Sequence, residues 1–572
     1  MVGATSAAHA ANFPFAVEVL VMIFGLLDFK ALLRCSETCK HFREVINNTA
    51  ALRYIIELAV DGLVDGDPNH PSTASQRLEA VLNRRSRWRS LNWTHKESIP
   101  VGYYGLAYDF SAPGVLAWIA YELAPTHSIA RTLLKVRNLP EGGKPVTEGT
   151  YYISTSTGPN GEVIQINHVL VQPSTDLIVF VENGRLEAEI DENDPEPADV
   201  DFSVIPICMH LRSLSSGGQE PHPLCRDAVI EYDLSNGLVE APRIRKVSLD
   251  WNLLSALASN SGRMELCIWD HTTGDELAGL HSSSFECKLH DYSFITPTSL
   301  IVIATTKTEE DTWTDHINLF SFDPSHGVSP PPPTNMKLIA SLRLPQRVAN
   351  NKEVDISIDS GRFFPAPTPG CGDMFTTAPE SHIYVIHSRW FTGVGTSYAK
   401  LGTVVHRDTF VSLLKQHDTA PSPESRGFIP WEEWGPDNTR CVKVDTRDRY
   451  QLLNSVADGE RVVWPVKEDG KVTTQIMDFN TRGRYYDARA GTPDGVSTSL
   501  TRLVTEPTTL VLEEDYVEPI VSTLPYYTTP ILDVEPRDVV ATNEDFALNQ
   551  QGLFREKSVG GRRLDMIELY TV

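Results

Sequence analysis

The chain has 572 residues, 41% hydrophobic and 22% charged, with 75 Asp and Glu against 50 Lys and Arg and a formal net charge of −25. That length exceeds one simple domain, and the composition is that of a water-soluble chain able to bury a large core. The acidic balance works against nucleic-acid binding, which needs clustered cations on phosphates, and against an anionic membrane surface.

The eight Cys are scattered without a CxxC pair, which reads as reduced thiols in a soluble intracellular chain, cytoplasmic and/or nuclear. No run of 18 apolar residues occurs, so no membrane span is expected. The leading MVGATSAAHAAN lacks a basic segment followed by an apolar one, so residues 1–12 read as a disordered lead rather than a signal.

Residues 13–46 read as three short amphipathic helices. From Glu18 the apolar positions Val19, Leu20, Ile23, Phe24, Leu26 and Leu27 follow helical spacing. Asp28 is placed to cap a second helix carrying Leu32, Leu33 and Cys35. Thr38 is placed to cap a third, with Cys39, Phe42, Val45 and Ile46 inward. So short a segment cannot cover that much apolar surface by itself. It therefore needs the rest of the chain or a partner.

This run resembles an F-box. The residues that carry the likeness are Glu18-Val19-Leu20, Ile23-Phe24, Leu27-Asp28, Lys30, Leu32-Leu33-Arg34-Cys35, Thr38-Cys39-Lys40 and Phe42-Arg43. The usual motif opens Leu-Pro, one residue, then an acidic residue. Here two more residues separate Pro14 from Glu18. The whole chain resembles large fungal F-box proteins with a propeller-like C-terminal region. The resemblance implies docking on the adaptor subunit of a cullin–RING ubiquitin ligase. Pro14, Val19, Leu20, Ile23, Phe24, Leu27, Leu32, Leu33, Cys35, Cys39 and Phe42 are the implied adaptor-binding residues.

An apolar stripe from Leu52 to Ala59 continues the helical texture, and residues 13–60 are assigned to the F-box. Linker helices follow over 61–99. In SQRLEAVLNRRSRWRSL (75–91), Leu78, Val81, Leu82 and Trp88 share one side. Arg84, Arg85, Arg87 and Arg89 read as a solvated basic flank.

From about residue 100 short β-rich runs alternate with Gly, Pro, Asn, Asp and Ser. Seven runs serve as markers: VLAWIAYEL (115–123), DLIVFVENG (176–184), AVIEYDLSNG (228–237), ELCIWDHTTG (265–274), INLFSFDPSHG (317–327), HIYVIHSR (382–389) and TTQIMDFNTRG (473–483). Segment 265–280 resembles a WD-repeat hairpin. The marker spacing, roughly 60 residues, exceeds an ordinary WD repeat and implies insertions. The expected fold is therefore multidomain α plus all-β: a small three-helix F-box, linker helices, and a β-propeller of about seven blades over 100–572. Two β-sandwiches in series are the alternative. Residues 186–201 and 323–336 read as exposed insertions, 407–416 as a short helix, and Trp431 and Trp434 as a packing cluster rather than an interaction surface. The last segment, 562–572, reads as a strand that closes the ring.

No catalytic constellation emerges. Phosphate-loop, nucleophile-elbow and HExxH motifs are missing. Gly393-Val394-Gly395 lacks a third Gly at dinucleotide-binding spacing. The runs Glu309-Glu310-Asp311 and Glu513-Glu514-Asp515 read as solvated. His210 and His222 flank Cys208 and Cys225, but the irregular spacing favours coincidence over metal. The expectation is therefore no enzyme, cofactor or metal. The chain reads as a substrate-recognition subunit that docks on the adaptor and binds an unidentified protein target. Alternatively, it is a non-catalytic F-box scaffold that does not direct degradation. Arg389, Arg407, Arg440 and Arg461 are the cations available for a phosphorylated target.

Overall fold

The computed structural model describes residues 15–100, 107–109, 111–123, 129–139, 147–153, 166–189, 201–234, 241–260, 262–281, 287–307, 313–324, 335–348, 354–365, 374–391, 398–419, 428–446, 457–468, 471–483, 501–531, 537–538, 544–557 and 566–571. These form two compact units. The first takes in residues 15–90 with the excursions 374–378 and 482–483, and the second takes in the remainder.

The first unit is helical. Its elements are α1 (Val17–Phe24), α2 (Phe29–Thr38), α3 (Lys40–Asn48), α4 (Ala50–Val60) and α5 (Ala74–Ser90). Asp28 caps α2 as the sequence implies, accepting the Ala31 N–H at 2.7 Å. Thr38 does not cap α3. It is the last residue of α2, where its hydroxyl donates to the Cys35 carbonyl, and the extended Cys39 takes the cap, its Sγ accepting from Phe42 N–H at 3.4 Å. Thr73 and Gln76 form a reciprocal capping box ahead of α5.

Leu20, Phe24, Leu32, Val45, Ile46, Leu52, Ile56 and Val60 make the unit's inner core. Leu78 and Val81 of α5 join Tyr54, Leu58 and Leu63 in a second cluster. A short strand, Leu63–Asp65, pairs antiparallel with Phe375–Thr377, more than 300 residues later. The arginines of α5 are not simply solvated. Arg77 and Arg84 are buried. Arg85 bridges Glu57 Oε2 at 2.8 Å and Asp61 Oδ1 at 2.6 Å. Burial works against its charge, yet Asp61 and Glu57 outweigh that and hold its pKa above the ordinary value.

The second unit is a seven-bladed β-propeller, each blade an antiparallel sheet. Blade 1 is Tyr108–Asp109, Val115–Leu123, Ile129–Asn138 and Thr147–Ile153. Blade 2 is Ile166–Gln172, Leu177–Glu182, Ile207–Ser213 and Val229–Tyr232. Blade 3 is Arg243–Asp250, Leu253–Asn260, Arg263–Asp270 and Glu276–His281. Blade 4 is Cys287–Thr296, Ser299–Lys307, Trp313–Ser321 and Lys337–Arg343. Blade 5 is Val354–Asp359, Ile383–Phe391, Tyr398–His406 and Thr439–Thr446. Blade 6 is Ala457–Asp458, Arg461–Glu468, Lys471–Asp478 and Tyr526–Pro530, with Arg502–Val504 outside. Blade 7 is Glu544–Asn549, Gly552–Lys557, Met566–Thr571 and His95–Pro100.

First strands of blades 1 and 2, 2 and 3, 4 and 5, and 6 and 7 meet. They share no ladder, so side chains stitch them together. Gln172 Nε2 donates to the Trp251 carbonyl at 2.8 Å, and the Tyr384 hydroxyl to that of Phe294 at 2.6 Å. Lys246 Nζ reaches both the Tyr292 and Ile358 carbonyls.

Ring closure joins distant parts of the chain. Met566–Thr571 pairs with Gly552–Lys557 on one side and with His95–Pro100, placed by the sequence in the linker, on the other. Val572 lies outside the described residues. The WD-like hairpin forms as read. Buried Trp269 precedes Asp270, whose Oδ1 accepts from Thr272 N–H at 2.8 Å, and Gly274 closes the turn at φ +72°. Of the insertions, Arg185–Glu189 pairs with Asp201–Ile205, while 190–200 and 325–334 lie outside the described residues. The helix expected at 407–416 is α6 (Arg407–Thr419).

Candidate functional site

Helix α1 carries two apolar stripes. At 3.6 residues per turn, Leu20 and Phe24 fall on one side and Val19, Met22 and Ile23 on another, and in the turn after the helix Leu27 continues the first and Leu26 the second. The first stripe faces the core, where Phe24 meets Phe42 edge to face at 5.0 Å. The second is bare: Met22 is 74% and Leu26 88% exposed, and Val19 and Ile23 are exposed beside them. Phe15 and Val17 extend the exposed apolar surface.

This sorts the residues the sequence suggests for docking. Val19 and Ile23 are on the surface. Leu20, Phe24 and Leu32 are buried and hold the bundle together, with Leu32 at 0% exposure. Leu27, Leu33, Cys35, Cys39 and Phe42 are partly covered, Cys39 as the α3 cap. Pro14 lies outside the described residues. Met22 and Leu26, absent from that set, are the most exposed of the stripe; the signal for them was two hydrophobic periods on one short helix.

The propeller gathers no catalytic set from the sequence candidates. His210 pairs with Glu182 at 3.0 Å, and Cys208 points to the Pro206 carbonyl. His222 instead neighbours Cys225 at 3.4 Å and, from blade 3, His271 stands 3.9 Å from the same sulfur. Burial pushes the Cys225 thiol up to about 11, so it is protonated and not nucleophilic near neutral pH. Among the described residues no group of three or more His, Cys, Asp and Glu is placed to hold a metal ion. Glu309-Glu310-Asp311 and Gly393-Val394-Gly395 lie outside them. Asp515 is not a free member of an acidic run, since it accepts from Trp390 Nε1 at 2.7 Å.

The four candidate arginines do not converge. Arg389 pairs with Asp355 and Arg461 with Asp478, and Arg407 donates to the Ile295 carbonyl. Arg440 is wholly buried, bonded to the Leu524 carbonyl and the Thr508 hydroxyl.

Trp431 and Trp434 of α7 (Trp431–Asn438) are buried and perpendicular, and Trp434 Nε1 donates to the Arg343 carbonyl at 2.8 Å. They are packing residues. A Cβ at Gly435 would fall into the Trp431 indole. Gly435→Ala gains about 1 kcal/mol of helix propensity but costs about 1–3 kcal/mol in overpacking. A lower denaturation midpoint in guanidinium is the expected outcome.

No helix of the described residues is long and apolar enough to cross a membrane. The F-box-like family model matches residues 17–55. Among solved structures the chain is similar to the β-propeller domain of the Trilobed protease from Pyrococcus furiosus, at 8% identity, 77% coverage of this chain and 98% of that one, TM-score 0.29. It is also similar to the WD40 domain of SCAP from fission yeast, at 8% identity, 84% and 98% coverage, TM-score 0.28. No curated protein matches by sequence. With an F-box-like domain over 17–55 and seven blades after it, the chain is an F-box protein with a β-propeller C-terminal domain.

Proposed function

We propose that the chain is the substrate-recognition subunit of an SCF-type cullin–RING ubiquitin ligase. The helical unit docks on the adaptor subunit, and the propeller holds a protein target while ubiquitin transfer takes place on other subunits. The observation that carries this reading is the second apolar stripe of α1: Val19, Met22, Ile23 and Leu26 stay exposed although the core beside them is complete. Burying such a side chain in an apolar groove is worth about 1.5–3 kcal/mol, and four of them make a hot spot large enough to anchor a partner.

The test separates docking from folding. The chain is co-purified with the adaptor subunit, as wild type and as Met22→Asp/Ile23→Asp/Leu26→Asp. Because these side chains are exposed, the helical unit is expected to stay folded by circular dichroism while adaptor binding falls at least 100-fold. Undiminished binding by the folded triple variant overturns the reading. A captured target whose half-life lengthens when the triple variant replaces the wild-type chain in cells marks a receptor; an unchanged half-life marks a scaffold.

A further inference from the structure

The propeller has a second means of closing its ring. The segment Ser360–Phe363, just past the first strand of blade 5, reaches six of the seven blades. The Ser360 hydroxyl meets that of Ser293 in blade 4 at 2.8 Å. Gly361 lies against Asp458 and Gly459 of blade 6, where a Cβ would stand 3.1 Å from Asp458 Oδ1. Arg362 Nη1 pairs with Asp109 Oδ2 of blade 1 at 2.7 Å and donates to the Val171 carbonyl of blade 2 at 3.2 Å. Its Nε donates to the Leu249 carbonyl of blade 3 at 2.9 Å. Phe363 N–H donates to Asp250 Oδ1, and its carbonyl accepts from Trp251 N–H, both at 2.8 Å. The Phe363 ring, 3% exposed, is sandwiched between Trp251 at 4.5 Å and His382 of blade 5 at 4.2 Å.

The backbone is strained to make these contacts. Trp251 holds φ at +52°, a left-handed value that costs a bulky L-residue about 1–2 kcal/mol. Its stack on Phe363 and the hydrogen bond between their backbones hold it there.

Among the described residues, blade 7 gives this segment no hydrogen bond or ring contact, and blade 6 meets it only at the close approach to Gly361. Blade 7 is also the blade that joins the propeller's first strand, His95–Pro100, to its last, Met566–Thr571. We infer that Ser360–Phe363 is an internal hub that closes blades 1–6 independently of the terminal strands, so that blade 7 is the gate of the ring and opens while the other six stay joined. The hub ties blade 5 to blade 1 across the ring, bypassing blade 7. Opening blade 7 therefore breaks only its own ladders and its contacts with two neighbours.

Native-state hydrogen exchange of the full chain, read by peptide mass spectrometry, tests the inference. In the wild type, amides of Glu544–Asn549, Gly552–Lys557, Met566–Thr571 and His95–Pro100 are expected to exchange together, at least tenfold faster than the second strands of blades 1–5. In Arg362→Ala, protection in blades 1–3 is expected to fall at least tenfold, removing that gap. If Arg362→Ala does not fold, a chain lacking residues 566–572 serves instead, and blades 1–5 are expected to keep their protection. Equal protection of blade 7 and blades 1–5 in the wild type overturns the inference. So does unchanged protection of blades 1–3 in Arg362→Ala, or loss of protection throughout on removing 566–572.

Discussion

Arg85→Ala is expected to destabilise the helical unit by about 3–5 kcal/mol, because it strands two buried carboxylates rather than deleting one contact. Glu57 and Asp61 are both buried, and Arg85 stands 2.8 Å from the first and 2.6 Å from the second. Removing the guanidinium leaves two negative charges desolvated and close together. Removing all three charges is different. Arg85→Met with Glu57→Gln and Asp61→Asn is expected to recover most of the loss, since a buried ion network contributes little net stability over neutral residues of similar volume. Urea unfolding followed by helical circular dichroism at 222 nm checks both. A single variant that loses less than about 1 kcal/mol would show that water reaches the carboxylates and that the pair is a surface feature.

Acid is expected to unfold the propeller well before its carboxylates titrate as a group. Burial by itself brings His168 down to about 4, and burial is the largest cause of the same value for His290 and His316. Each ring is thus neutral in the folded state, while the unfolded chain protonates it near 6.5. Between those values the unfolded state binds more protons, so stability rises with pH there and falls on acidification. The stability these rings contribute is present above about pH 6.5 and is lost as pH drops toward 4. At pH 5 the loss is about 2 kcal/mol for each His and on the order of 6 kcal/mol for the three.

Two buried carboxylates act the other way. Burial raises Asp250 and Asp291, so they take up protons more readily folded than unfolded and flatten the decline at the acid end. Thermal melts at pH 7.5, 6 and 5 read the balance, and His316→Asn is expected to reduce the drop. A melting temperature constant from pH 7.5 to 5 would mean that the three rings are hydrated in the native state.

The sequence was most legible where local rules act alone. Asp28, the WD-like hairpin around Trp269-Asp270 and the α6 helix all formed as their residue types require. The blade number was right, but its basis was uneven. Two of the seven marker runs, at 177–182 and 229–232, are strands of the same blade 2, and blade 7 holds none. Blade 7 escaped notice because its outer strand comes from His95–Pro100, whose partner is set by ring closure rather than by neighbouring sequence.

The docking stripe was half legible. Periodicity showed that α1 is too apolar, yet it does not say which stripe the core takes. That choice is made by Val45, Ile46, Leu52 and Ile56 packing from α3 and α4. Arg440 illustrates the opposite failure. As a lone cation it reads as available, but the segment that buries it comes from residues 506–524, far along the chain.

The pairing of His95–Pro100 with Met566–Thr571 has a consequence for the newborn chain. Thr94 and Thr571, hydrogen-bonded to one another, are 477 residues apart. At roughly 5–20 residues per second a ribosome needs about 25–95 s to make the stretch between them. Throughout that time the first strand waits with bare backbone edges, a template for pairing with the wrong chain. The helical unit also waits, because Leu63–Asp65 gains its partner only when Phe375–Thr377 emerges. Synthesis therefore puts the folding of both units on a clock set by their latest strands.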